Sequence, residues 1–246
     1  MKLEYPMKRN GMYLLKKKDF DDIAALVLSN YMPRVLEYPK PLDIESLAQD
    51  QFYLDIRYDN IEPDGKILGM MAFADTEYYS RGYSAERGAI ELEEGTMLID
   101  YSLCGNDNRA RRRYTQAHEL SHWICHRGYH SPTNQQYEFR KNRYVACRTE
   151  NIESYRRNDF SERTENDWEE WQADSLAAAL LMPKKTFVEA VETLFREYGV
   201  RRCLLPGRDN KIARDIISEV ASTFDTSYRA TQIRMIHLGF IAIARD

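Results

Sequence analysis

Two histidines and a glutamate in residues 115–124 form the pattern H-E-x-x-H, with His118, Glu119 and His122 in the key positions. The segment is predicted to be helical, and at 3.6 residues per turn the two histidines lie one turn apart, about 40° from each other. Both imidazoles can therefore reach one metal ion. Glu119 projects beside that ion, where a carboxylate can take a proton from metal-bound water. The spacing also arises by chance, so the interpretation needs support from the rest of the chain.

A catalytic zinc site typically has three protein ligands, so one more is needed. Downstream, we predict a second helix that Asn166 caps, with Glu169 as its capping-box partner, and that stops at Pro183. Glu170 is placed to be the third ligand, whereas Glu169 is predicted to be a solvated acid of the first turn. Asp174 could accept the ring N–H of a ligating histidine and fix its tautomer. Ala173, Ala177 and Leu181 share this face, and the small side chains of Ala173 and Ala177 would let two helices approach closely.

His126 is the third histidine of the first helix, and two interpretations of it stay open. It lies on the Glu119 side and could contact substrate, or it is a partly exposed residue at the helix end. A metzincin site is excluded, because Cys125 and Gly128 stand where that class needs glycine and histidine. Cys125 lies roughly on the His118 face, but its position on the same helix makes it a poor fourth ligand.

The remaining pattern predicts an α+β fold. An amphipathic helix is expected at residues 18–32, ended by Pro33, and Asp43 is expected to cap a second one. Four short β-like segments follow, of which the last two are predicted to form a hairpin: 53–58, 67–73, 89–92 and 97–101. We therefore expect a small sheet packed with the H-E-x-x-H helix and the second metal-ligand helix in a domain of residues 1–183. Residues 184–246 are predicted to form a helical C-terminal lobe.

Composition limits the functions that this chain can have. Its 246 residues are 43% hydrophobic and 30% charged, which is ordinary for a globular protein with a core. The net charge of −4 favours neither nucleic acid nor an anionic membrane as a partner. No apolar run is long enough to cross a bilayer, and residues 1–18 lack the apolar core of a signal peptide. The four cysteines contain no C-x-x-C pair, so we expect reduced thiols and a cytoplasmic location.

Three further segments bear on partners. Residues 109–113 are strongly basic, and we predict that they are solvated or ion-paired rather than a nucleic-acid patch. The long polar stretch 127–167 is predicted to be a loop that could lie over the cleft. Residues 211–239 have a helix-turn-helix outline, but the second helix offers few groups to DNA, which favours packing or substrate docking: Arg229, Gln232 and Arg234.

Three motifs in one order resemble the ImmA/IrrE family of metallo-endopeptidases, which are H-E-x-x-H zincins. Residues 111–123 resemble R-R-R-F-T-x-A-H-E-L-G-H, and residues 170–183 resemble E-x-x-A-N/D followed by L-L-M-P. Residues 224–239 are similar to F-x-V-S-x-x-A followed by L-G. Together the motifs extend the resemblance over residues 40–240. Ser121 replaces a glycine of the pattern, Thr226 replaces the usual valine, and the stretch before Glu170 is long.

The resemblance implies a zinc-dependent endopeptidase. Zinc, or another divalent transition metal, would be held by His118, His122 and Glu170, with Glu119 as the base. Family members cut helix-turn-helix repressors, so a repressor of a mobile element or of a stress response is the expected substrate, and no direct nucleic-acid or membrane partner is expected. The alternative is a non-enzymatic regulatory module that binds DNA or protein and whose metal site is structural. Such a site would normally have four protein ligands, and it would not need Glu119.

Overall fold

The computed structural model describes residues 3–80, 88–131, 143–148, 164–205, 207 and 209–242. These residues form a mixed α and β structure, in agreement with the predicted α+β class. The first helix, α1 (Asp19–Tyr31), buries one face, and α2 (Ile44–Ser46) is capped by Asp43 and continued by a π-helical turn at Leu47–Gln51. No helix within the described ranges is both long and apolar enough to cross a membrane.

A four-stranded mixed sheet lies at the centre of the N-terminal part. Its strands are β1 (Asp55–Asp59), β2 (Ile67–Ala72), β5 (Thr96–Asp100) and β6 (Tyr144–Arg148). Their order in the sheet is β1-β5-β2-β6, with β1 parallel to β5 and the other neighbours antiparallel. Every residue of β2 and β5 is buried, because apolar clusters cover both faces of the sheet.

The predicted hairpin between residues 89–92 and 97–101 is wrong. β4 (Ile90–Leu92) instead pairs with β3 (Thr76–Tyr78) in a separate two-stranded sheet. The turn at Gly95, which has a φ of 89°, feeds β5 into the four-stranded sheet, and the Gly95 amide donates to the Ala72 carbonyl of β2. The turn between β4 and β5 therefore does not pair these two strands. β5 pairs within the larger sheet, where both of its faces are buried.

The helices α3 (Arg109–His126) and α4 (Glu165–Leu181) pack against each other, and α3 also lies against β2 and β5 of the sheet. Our predicted cap of α4 was two residues too late. Thr164 is the N-cap and forms a reciprocal capping box with Asp167, so the helix begins at Glu165. Asn166 and Glu169 both lie inside the helix and take no part in this cap.

The polar stretch 127–167 was predicted to be a loop over the cleft. Its described part contains the strand β6, which pairs antiparallel with β2 and forms an edge of the sheet. Residues 132–142 and 149–163 lie outside the described residues. The prediction that this stretch covers the cleft concerns those residues and stays a prediction.

The C-terminal helices form a second apolar core, which begins at Met182 and uses residues distinct from those of the first core. They are α5 (Lys184–Glu197), α6 (Asn210–Phe224) and α7 (Tyr228–His237). Asp225, in the left-handed conformation at a φ of 52°, ends α6, and Ser227 caps α7 through the Ala230 amide. The predicted two-helix outline is therefore present.

Charged groups tie this lobe to the rest of the chain. Arg113 donates to the carbonyls of Leu42 and Asp225, and Arg109 lies 2.6 Å from the Asp225 carboxylate. Arg234 of α7 is buried, where it donates to Asp21 of α1 and to the Met182 carbonyl. The basic run at residues 109–113 is thus ion-paired at two of its arginines, as predicted. Arg234, which the helix-turn-helix outline offered to DNA, is engaged in packing.

Candidate metal centre

Three side chains from α3 and α4 converge in the interior. The Nε2 atoms of His118 and His122 are 2.9 Å apart. Glu170 reaches them from α4, with Oε2 3.4 Å from Nε2 of His118 and Oε1 3.5 Å from Nε2 of His122. One potential ligand atom from each of the three side chains lies within 4.8 Å of the others. The structure thus brings together the three residues that the sequence nominated as ligands.

The close approach of the two helices depends on small residues. Ala173 and Ala177 of α4 are completely buried, one and two turns after Glu170 on the same face. A larger side chain at either position would push α4 away from α3. The Glu170 carboxylate would then be withdrawn from the two histidines.

Asp174 holds the far side of the His118 ring. Its Oδ1 lies 2.8 Å from Nδ1 of His118, and it also accepts a hydrogen bond from the hydroxyl of Tyr114. The predicted contact of Asp174 with a histidine of the motif is therefore observed. Because a carboxylate can only accept, Nδ1 of His118 carries the proton of this bond, and Nε2 faces His122 and Glu170.

A chain of hydrogen bonds sets the tautomer of His122 in the same way. Gln172 donates its amide to the Tyr13 carbonyl, so its Oε1 is left to accept from Nε2 of His126, 3.1 Å away. Nδ1 of His126 must then accept from Nδ1–H of His122, across 3.0 Å. His122 therefore points an unprotonated Nε2 towards the centre.

This arrangement corrects the prediction for His126. The residue is fully buried rather than partly exposed, and its two ring nitrogens bond to His122 and Gln172, which leaves neither nitrogen for a substrate. Spacing alone could not distinguish these roles, because the position of Gln172 on another helix decides which way the ring faces.

The centre fits a cation. Two unprotonated Nε2 atoms facing each other at 2.9 Å would repel, so a positive charge must lie between them or a proton must sit on one ring. Burial lowers the pKa of His122 to about 4. Burial opposes charge on His118 too, but Cys147 and the hydrogen bond to Asp174 raise its pKa well above the ordinary value. Oε2 of Glu170 is buried without a hydrogen-bond partner, as expected of an atom placed to bind an ion.

Glu119 lies beside this group with both carboxylate oxygens buried and without hydrogen-bond partners. Burial raises its pKa to about 8. The space that it occupies exists because residue 69 of β2 is glycine: a Cβ there would lie 2.7 Å from Oε1 of Glu119 and 2.6 Å from Cγ2 of Thr115. Gly69 is thus a determinant of the Glu119 position that sequence reasoning missed.

Cys147 was also missed. It lies on β6 in register with Gly69, is 3% exposed, and has its sulfur within 4.8 Å of a ligand atom of His118 and of Glu119. Burial raises the pKa of its thiol to about 11. The motif could not reveal it, since β6 falls in a stretch that was predicted to be a loop. Cys125, which the sequence considered as a fourth ligand, is buried outside this cluster.

The prediction that Glu169 is a solvated acid is wrong. It is 5% exposed, and its Oε2 lies 2.9 Å from Nε2 of His130, whose ring stacks on Phe73 at a centroid distance of 4.5 Å. A second histidine–carboxylate pair therefore lies near the candidate centre. The sequence could not show this, because His130 is distant in the chain and lies in the turn after α3.

Neither the protein-family models nor the curated proteins contain a match to this chain.

Proposed function

We propose that this chain is a zinc-dependent endopeptidase with a zincin-like catalytic domain. The observation that carries the proposal is the convergence of two histidines with fixed tautomers and a carboxylate, next to a second carboxylate that has no partner. A site that only tied the helices together would have no use for Glu119, whose burial without hydrogen bonds costs free energy.

The residues divide into two roles. His118, His122 and Glu170 would hold the ion, and Asp174 and His126 keep the two rings in the required tautomers. Zinc in such a site supplies a Lewis acid that polarises a peptide carbonyl and makes water more acidic. Glu119 accepts the proton of the attacking water at its carboxylate and passes it to the leaving amine. A positive charge in the neighbouring site favours the ionised form of Glu119 that this role needs.

The substrate that we propose is a helix-turn-helix repressor, cut at one or very few bonds. The three motifs that resemble the ImmA/IrrE family support this choice. The net charge of −4 and the burial of Arg234 both favour recognition of a protein rather than of DNA.

A second candidate is a regulatory binding module with a structural metal site. The observation in its favour is burial, since His118, Glu119, His122 and Glu170 are each at most 2% exposed. Structural zinc sites are closed in this way. The two candidates differ in whether the protein turns over a substrate.

The test is an incubation of the zinc-loaded protein with a helix-turn-helix repressor encoded beside its gene, read by intact mass. One or two defined fragments that disappear with a chelator and persist without DNA support the peptidase. A repressor that stays whole while unfolded casein is digested would remove the regulatory substrate and leave the peptidase. Zinc bound at one equivalent with no cleavage of either protein would favour the binding module.

A further inference from the structure

A second group of potential metal ligands overlaps the first. It consists of His118, Glu119 and Cys147, whose ligand atoms lie within 4.8 Å of one another. His118 belongs to both groups, whereas the other two members come from the middle of α3 and from the edge strand β6. The Cys147 thiol has no role in the proposed mechanism.

The second group has the features of a built site. Cys147 and Glu119 are both buried, at 3% and 0% exposed, and neither oxygen of Glu119 has a hydrogen-bond partner. Gly69, the register partner of Cys147, supplies the room in which the carboxylate lies. A partnerless buried carboxylate beside a thiol and an imidazole is a donor set for a thiophilic divalent cation, because thiolate ligands select soft metals.

We propose that His118, Glu119 and Cys147 form an alternative cation position that a soft divalent ion such as Cd²⁺ occupies through the Cys147 sulfur. As the metal–sulfur bond forms, the thiol proton leaves to the buffer, and no atom changes its oxidation state. Nδ1 of His118 is bonded to Asp174, so Nε2 is the nitrogen left for an ion, and the two positions compete for it.

The consequence for regulation rests on the proposed peptidase function. An ion in the alternative position takes Glu119 as a ligand and removes the base, so the protein would be held inactive. The cation binding itself does not depend on that function, and it can be measured without a substrate.

The experiment is a titration of the metal-free full-length protein with Cd²⁺, followed by ultraviolet sulfur-to-metal charge-transfer absorption. Cys104→Ser and Cys203→Ser are introduced first, because these are the two cysteines that are not buried. The absorption should grow to one equivalent and then stop. Cys147→Ser should abolish it and weaken Cd²⁺ binding at least about tenfold, since even a residue that only supports a ligand is worth about 10–100-fold. Cys125→Ser, the matched buried control on α3, should leave it unchanged.

A ¹¹³Cd NMR spectrum of the same Cys104→Ser, Cys203→Ser protein tests the claim without a substitution at a buried cysteine. A resonance shifted downfield by a sulfur ligand supports the proposal. Absence of that shift, or charge-transfer absorption that survives Cys147→Ser and Cys147→Ala, overturns it. Repressor cleavage by the zinc form without a Cd²⁺–sulfur signal would refute this site and leave the peptidase intact. A Cd²⁺–sulfur signal without any cleavage would support this site and count against the peptidase.

Discussion

Replacing Gly69 by alanine should uncouple catalysis from metal binding. The new Cβ would lie 2.7 Å from Oε1 of Glu119 and 2.6 Å from Cγ2 of Thr115. Heavy atoms in contact prefer about 3.5–4.0 Å, so the Glu119 carboxylate or α3 must shift by roughly 1 Å. A misplacement of that size costs about 10²-fold, and loss of a general base costs about 10²–10⁴-fold, so kcat/KM should fall by about 10²-fold or more.

The same overpacking should lower the free energy of unfolding by about 1–3 kcal/mol. For a chain of this length that corresponds to a fall in Tm of roughly 2–12 °C. The zinc content should stay at one equivalent, because none of the three atoms nearest the new Cβ belongs to His118, His122 or Glu170. The measurements are repressor cleavage, differential scanning calorimetry and metal analysis on one preparation.

Thr115→Ser in the Gly69→Ala background separates the two contacts. It removes Cγ2 and should recover part of the lost Tm, but it should not recover turnover, since the contact with Glu119 remains. Wild-type cleavage by Gly69→Ala would refute the argument that β2 holds the carboxylate in place. Recovery of full turnover by the Thr115→Ser addition would mean that the displacement of α3, and not the contact with Glu119, causes the loss.

Four other substitutions test the ligand set and the packing around it. Glu170→Ala should abolish zinc binding by metal analysis, whereas Glu169→Gln should leave about one equivalent bound. Gln172→Met should weaken zinc affinity by about 10–100-fold in a chelator competition. Methionine lacks the amide oxygen that accepts from His126, so the chain of hydrogen bonds that fixes the tautomer of His122 is lost. Arg234→Met should lower the free energy of unfolding in urea by about 3–5 kcal/mol, because Asp21 is left as an unpaired, largely buried charge. Full zinc binding by Glu170→Ala, unchanged affinity in Gln172→Met or wild-type stability of Arg234→Met would each contradict the corresponding contact.

Local spacing was enough to find much of this centre. His118 and His122 lie one turn apart on a single helix, and Glu170, Ala173 and Asp174 are set by the same periodicity on another. The sequence therefore predicted which face of each helix looks inwards. It predicted α1 and the Asp43 cap for the same reason, since both depend on neighbours within a few residues.

The errors concern contacts between distant segments. Glu169 was predicted to be solvated, but its partner His130 lies four residues beyond the end of α3. His126 was left as a substrate contact or an exposed residue, although Gln172 holds it behind the centre. The roles of Gly69 and Cys147 follow from the register between β2 and β6. The polar sequence around β6 did not predict that pairing. Burial and register belong to the tertiary fold, and the pattern of one chain does not encode them locally.

In the proposed function, Glu119 moves a proton for a hydrolysis that needs the ion held by His118, His122 and Glu170. The most direct measurement compares the wild-type protein with Glu119→Gln, both at one equivalent of zinc, in cleavage of the repressor by intact mass. The variant should bind zinc and unfold like the wild type, but its rate should fall by about 10²–10⁴-fold, because an amide cannot accept the proton. Cleavage by Glu119→Gln at a rate close to that of the wild type would mean that Glu119 is not the base.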